Sequence, residues 1–150
     1  AGSGSVGLEA ARLCHSGYVY AVEKNAADFS IAQENAKQLD LHNYQLIHAK
    51  APVGLEHWPS ADAVFMGGTG GELAELIHIC LQRLNSNGWL VMNFVTLENL
   101  STALETLKAL DTTWDVVQMQ ASRSHPILHM HRMQAENPVW IVCAQAGVKS

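Results

Sequence analysis

The chain opens on Gly2-Ser3-Gly4-Ser5-Val6-Gly7, a G-x-G-x-x-G element that runs straight into a helical pattern. Few short motifs constrain a fold more. Glycines are needed in such a turn because a side chain would block a ligand's approach to the backbone. The helix behind it offers unpaired N–H groups and a partial positive charge to an anionic group. The turn normally follows a buried strand, and here only Ala1 precedes it. That strand would be the central one of the sheet. Burying about five apolar side chains contributes on the order of 10 kcal/mol, comparable to the net stability of a domain. The complete protein is therefore expected to carry such a strand, with the given chain starting late.

Helical and strand periods then alternate. Val6 to His15 reads as a helix and Tyr18 to Val22 as a strand. Asn25 to Leu39 is an amphipathic helix with Ala26, Phe29, Ala32, Ala36 and Leu39 on one stripe, and Gln45 to His48 is a short strand. Ala61 to Met66 is an apolar strand feeding the loop Gly67-Gly68-Thr69-Gly70-Gly71. Glu72 to Leu84 is helical, Asn87-Gly88 is a turn, Trp89 to Val95 a strand and Leu97 to Leu110 a helix. Trp114 to Gln120, Leu128 to Gln134 and Val139 to Ala144 read as strands with no helix between them. Alternation predicts an α/β fold, a mostly parallel sheet with helices on both faces. The strand-only tail predicts an antiparallel hairpin at one edge. Residues 1–150 read as one domain.

A formal charge of −5 argues against a nucleic-acid binder by bulk electrostatics. No apolar run approaches membrane-spanning length. Cys14, Cys80 and Cys143 lie in apolar patterns and read as buried free thiols of a cytoplasmic protein.

The glycine element alone serves both dinucleotides and S-adenosylmethionine. Glu23 follows Gly4 by 19 residues at the end of the next strand, where a carboxylate accepts hydrogen bonds from a ribose diol. That fits either ligand. The strand-only tail favours S-adenosylmethionine, because common α/β methyltransferases close with an antiparallel hairpin. So does Leu84-Asn85-Ser86-Asn87-Gly88-Trp89-Leu90-Val91, which resembles the segment before the fifth strand of those enzymes. Amino-group methyltransferases place an Asn/Asp-Pro-Pro-aromatic motif after the fourth strand. This chain has the five-residue Gly67–Gly71 loop there, which offers backbone N–H groups and open space to a bulky, oxygen-rich ligand.

The chain resembles the decarboxylating methyltransferases of corrin-ring biosynthesis that act on carbon 15 of precorrin-6 or its cobalt form. These occur alone or as the C-terminal half of a larger enzyme. The likeness spans almost the whole chain. It is carried by Ala1-Gly2-Ser3-Gly4-Ser5, Val19-Tyr20-Ala21-Val22-Glu23-Lys24-Asn25, Ala51-Pro52, Gly67-Gly68-Thr69-Gly70-Gly71, Asn93-Phe94-Val95-Thr96-Leu97-Glu98 and Asn137-Pro138-Val139. The resemblance implies a Rossmann-like class I methyltransferase using S-adenosylmethionine on a tetrapyrrole, and an oligomer, a tetramer in the family. Gly2, Ser3, Gly4 and Ser5 would wrap the methionine part, and Glu23, with Lys24, would hold the ribose. Ala49, Lys50 and Ala51 would lie against the adenine, with Gly67 completing the cofactor set. The family usually has Gly-Asp before the Ala-Pro, where this chain has Ala49-Lys50. A backbone contact survives that change and a side-chain contact to the adenine amino group does not.

Loss of the carboxyl group of an acetate side chain as carbon dioxide leaves its methylene carbon on the ring and an electron pair that the conjugated ring accepts, so the methyl transfer needs no strong protein base. Holding the reacting atoms at near-attack distance supplies most of the rate. Gly68, Thr69, Gly70 and Asn93 are expected against the substrate, Thr69 as a donor to a substrate oxygen. Arg123 and Arg132 would pair with the ring's carboxylates, since a guanidinium fork matches them bidentately. No metal site is expected: His129 and His131 read as one strand face near His125, with no third ligand at a suitable spacing. Ser122-Arg123-Ser124 reads equally as loop or substrate contact, and Trp58 is the one tryptophan considered near a ligand. The rival readings are a class I methyltransferase acting on tRNA adenine or protein carboxyl groups, and a non-catalytic fragment of the fold.

Overall fold

The structure is a computed structural model describing residues 1–68 and 71–147. It divides into two compact units, Ala1–Pro59 and Ser60–Ser150.

The first unit contains α1 (Ser5–Leu13), β1 (Val19–Glu23), α2 (Ala26–Gln38) and β2 (Tyr44–His48), then a 3-10 turn at Leu55–His57. The β-branched and aromatic run of β1 pairs in parallel with β2, from Val19 opposite Tyr44 to Glu23 opposite His48. Both helices pack on this pair. Leu8, Ala11 and Ala32 are buried between them. Asn25 caps α2, its Oδ1 accepting from the N–H groups of Ala27 and Asp28 at 2.9 and 3.1 Å. Asn43 closes the far end of α1 by donating from Nδ2 to the carbonyls of Ala11 and Cys14. No strand precedes α1 among the described residues, and β1 has a single strand partner.

In the second unit are β3 (Ala61–Met66), α3 (Leu73–Arg83), β4 (Leu84–Phe94), α4 (Leu97–Ala109) and β5 (Thr113–Met119). They are followed by β6 (Ser122–Ile127), β7 (Met130–Ala135) and β8 (Val139–Gln145). The main sheet runs β3-β4-β8-β5. β3 and β4 are parallel, and β8 runs antiparallel to both β4 and β5. The expected antiparallel pair does lie at one edge, with the last strand inside and β5 outermost. Alternation on β4 sends Leu90, Met92 and Phe94 to the buried face, where α3 and α4 pack, and Trp89, Val91 and Asn93 to the other. Ile77, Leu84, Leu90, Met92, Leu107 and Val142 are fully buried. Each contributes roughly 1.5–3 kcal/mol.

Two expectations need correction. The Asn87-Gly88 turn lies inside β4 instead of ahead of it. The ladder runs from Ala61–Leu84 directly to Ala63–Trp89, so the intervening residues bulge out, with Asn87 at φ 62°. The tail also holds one more strand than the sequence reading gave. Ser122-Arg123-Ser124 is strand, and β6 and β7 form a separate two-stranded hairpin. Its turn is Leu128-His129, which contains none of the usual turn residues, with Leu128 at φ 53°. His129 therefore sits in the turn, off the face that carries His131.

Gly4 is the residue this packing tolerates least well in any other form. Its φ is +85°, and a Cβ there would lie 2.9 Å from the Ala32 Cβ and 3.2 Å from Leu8 Cδ1. Gly4→Ala is predicted to cost about 1–3 kcal/mol through left-handed strain and separation of α1 from α2. Urea denaturation of the variant measures it.

Candidate functional site

The first unit gathers the residues expected at the cofactor. The glycine turn folds back at Ala1–Gly4, where the Gly4 N–H donates to the Ala1 carbonyl at 3.1 Å, and Gly2 sits at φ 57°. A Cβ at Gly2 would meet nothing within 4 Å. Gly4 thus serves helix packing, whereas Gly2 borders open space. Ser3 is anchored by Asn35 of α2, whose Nδ2 donates to its carbonyl at 3.1 Å. Ser5 begins α1, and no side chain caps the helix.

Glu23 ends β1 beside this turn and is the one buried charged residue among those described, 8% exposed. Its Oε2 accepts from the Ala1 nitrogen at 2.5 Å and the Gly2 N–H at 2.6 Å. Oε1 accepts from the Asn25 N–H at 2.7 Å. Burial pushes the carboxyl up, and the N–H groups of Asn25 and Gly2, which favour the ionised form, hold it below its ordinary value. A carboxylate has about four acceptor positions. Three are used, and the remaining one is on Oε1.

The next shell was not legible in the sequence. Ala49 extends the β1–β2 ladder by donating to the Glu23 carbonyl at 3.0 Å. His48, opposite Glu23, places Nε2 3.1 Å from the Lys24 carbonyl, so the tautomer with that N–H donates to it. Its ring stacks on Phe29 with centroids 5.1 Å apart. Lys24 and Ala49 are thus fixed through main-chain groups, while the Lys50 carbonyl accepts from Val53 at 3.1 Å ahead of the 3-10 turn. Asn35 and His48 were missed because a polar residue on an exposed helix face or strand end carries no periodic signal. Trp58 stacks on Tyr20 at 5.3 Å, which makes it part of this unit's own packing.

The second unit holds the residues expected at the substrate and Gly67, the one residue of the expected cofactor set that lies outside the first unit. Gly67 and Gly68 follow Met66, which pairs with Met92; Asn93 comes one residue later, half-buried opposite Ile141. A Cβ at Gly67 would press on the Phe65 ring at 3.0 Å, while one at Gly68 would meet nothing. Thr69 and Gly70 lie outside the described residues. An open cleft of about 350 Å³ is lined by Gly71, Leu73, Asn99, Thr102, Glu72 and Glu75 at the starts of α3 and α4. Its two carboxylates suit a cationic or neutral group better than an anionic one. Arg123 and Arg132 are on the β6–β7 hairpin, which shares no ladder with the strand of Asn93. Among the described residues no group of three or more His, Cys, Asp or Glu is placed to hold a metal. No helix described is long and apolar enough to cross a membrane.

A glycine turn leading into a helix, an acidic residue ending the next strand, and a final antiparallel strand inserted beside β4 together define a class I methyltransferase domain. Residues 1–145 match the model of the precorrin methyltransferase domain family, and the chain belongs to that family. It is 38% identical over 97% of its length to a Salmonella typhimurium protein named cobalt-precorrin-6B C(15)-methyltransferase (decarboxylating), of which it covers 75%. Among solved structures it is similar to a Geobacter metallireducens precorrin-6y C5,15-methyltransferase, with a TM-score of 0.89 and 35% identity over 96% of this chain and 76% of that one. A Methanobacterium thermoautotrophicum structure described as precorrin 8W decarboxylase gives a TM-score of 0.86 at 28% identity, over 95% of this chain and 76% of that one.

The Glu23 network makes a pH prediction. The carboxyl is held below its ordinary value of 4.5 in the folded chain by the Gly2 and Asn25 N–H groups. Its stabilisation is present above pH 4.5 and is lost as pH falls below that value. Urea midpoints of wild type and Glu23→Gln should differ most near neutral pH and converge toward pH 2.

Proposed function

We propose that this domain catalyses S-adenosylmethionine-dependent C-methylation, with loss of carbon dioxide, of a precorrin-6-type tetrapyrrole in cobalamin biosynthesis. The observation that carries the reading is the union of the glycine turn, Glu23 and the α2 start in one hydrogen-bond network, within a chain that matches this family over residues 1–145. The site fits the cofactor in two respects. Gly2 leaves its Cβ direction clear, and Glu23 stays ionised with an acceptor position to spare.

In this reading Gly2, Ser3, Gly4 and Ser5 present main-chain groups to the methionine part, and Glu23 orients the ribose beside Lys24. Ala49, Lys50 and Ala51 line the adenine through the backbone, with Gly67 closing the cofactor set. When bound, the cofactor supplies an electrophilic methyl group. Gly68, Thr69, Gly70 and Asn93 shape the space for the ring. Arg123 and Arg132 pair with its carboxylates, and the protein's part in the reaction is orientation. The reading also places the domain in a reducing cytoplasm, as a homo-oligomer without nucleic-acid partners. Of the three cysteines expected to be buried, Cys80 is buried and Cys14 and Cys143 are half-buried.

The test is mass analysis of a precorrin-6-type substrate incubated with the protein and S-adenosylmethionine. The expected product has lost one carbon dioxide and gained one methylene, with both changes strongly reduced in Glu23→Ala. An unaltered tetrapyrrole alongside methylation of RNA or protein would overturn the reading.

A further inference from the structure

The last residue of β2 stands between two segments that the proposed function assigns to the cofactor. Glu23 and Lys24 close β1 on one side, and Ala49, Lys50 and Ala51 follow β2 on the other. Two bonds tie them together. The Ala49 N–H donates to the Glu23 carbonyl at 3.0 Å. His48, opposite Glu23 in the ladder, brings Nε2 to 3.1 Å from the Lys24 carbonyl. A carbonyl only accepts, so this bond requires the proton on Nε2.

A third element sets the ring's position. Strand alternation puts His48 on the same face as Leu46 and Tyr44, and there the Phe29 ring of α2 lies against the imidazole with centroids 5.1 Å apart. The start of α2 is in turn tied to Glu23 through the Asn25 N–H. Core filling does not account for the arrangement, because His48 is exposed and Phe29 half-buried. The imidazole is held by α2 and itself holds the chain just past β1.

Ala49 has no functional side chain, so recognition along this stretch falls to main-chain groups. Such groups serve a ligand best when their spacing is fixed before it arrives. Given the S-adenosylmethionine reading, on which this inference rests, we propose that His48 is a positioning residue of the cofactor site. Its Nε2–H holds the Lys24 carbonyl and so fixes the ribose-holding segment relative to the adenine-lining one. It acts through the main chain, by removing an ordering cost that the ligand would otherwise bear.

The experiment titrates wild type, His48→Phe and His48→Gln with S-adenosylhomocysteine and with adenosine by calorimetry, circular dichroism showing each folded. Phe keeps a ring against Phe29 and lacks the donor. Gln lacks the ring and carries an amide N–H within similar reach. His48→Phe is expected to weaken both ligands by the same factor, about three-fold, as for one exposed neutral hydrogen bond. His48→Gln should bind both nearly as wild type does. Equal affinity in wild type and His48→Phe, or a His48→Gln as weak as His48→Phe, would overturn the proposal. So would a loss confined to S-adenosylhomocysteine, since the effect would then lie at the methionine end of the site. One readout needs no variant: the long-range proton–nitrogen spectrum of the wild-type imidazole at pH 8.5, above the range in which imidazoles change charge. The proton is expected on Nε2, and the Nδ1–H tautomer would contradict the proposal. Failure of wild type to bind S-adenosylhomocysteine while the Nε2–H tautomer is present would instead count against the methyltransferase reading.

Discussion

The first unit is organised around one buried carboxylate. Glu23 accepts hydrogen bonds from Ala1, Gly2 and Asn25, and these come from the glycine turn on one side and the entry to α2 on the other. A carboxylate 8% exposed is costly unless its acceptors are filled. Here main-chain donors fill most of them and favour the ionised form. The same bonds hold the turn against the end of β1. Asn25 takes part twice, donating its N–H to Glu23 and capping α2 with its side chain. The placement of the glycine turn and the entry to α2 therefore rest on one interaction.

The second unit has a different logic. Its core is apolar, supplied by one face of β4 and β8 and by α3 and α4. Inserting β8 antiparallel beside β4 sets Val142 across from Met92 and Ala144 across from Leu90. It also fixes Asn93 opposite Ile141, near the end of β4 that leads into α4. The residues expected at the substrate lie at strand ends and on the hairpin, away from the packed face.

Much of this was legible in the sequence because it is periodic or stereochemically forced. The stripe through Ala32 and the apolar run Ala61–Met66 identified their elements, and the opening glycines announced a turn because their positive φ angles leave few alternatives. Glu23 was found by its distance from the turn. The hairpin was misread because Leu128-His129 breaks the rules of turn composition and Pro126 disfavours a strand. The Asn87-Gly88 signal was correct as a local bend, but a bulge and a turn share the same residues and differ only in what the flanking strands do. Asn35, Asn43 and His48 were invisible for another reason: each bonds to a carbonyl distant in sequence, and the side chain alone does not say which. The crowding of the Glu23 oxygens was equally beyond a sequence argument, since spacing predicts a carboxylate's location and not its partners.

The central claim is that the Glu23 carboxylate joins fold and cofactor site. Calorimetric titration of wild type and Glu23→Gln with S-adenosylhomocysteine, at neutral pH and at a temperature where circular dichroism shows both folded, tests it most directly. The account predicts at least ten-fold weaker binding in the variant, because Gln keeps the shape but loses the charge and replaces an acceptor oxygen with a donor nitrogen. Equal affinity in the two proteins would contradict it.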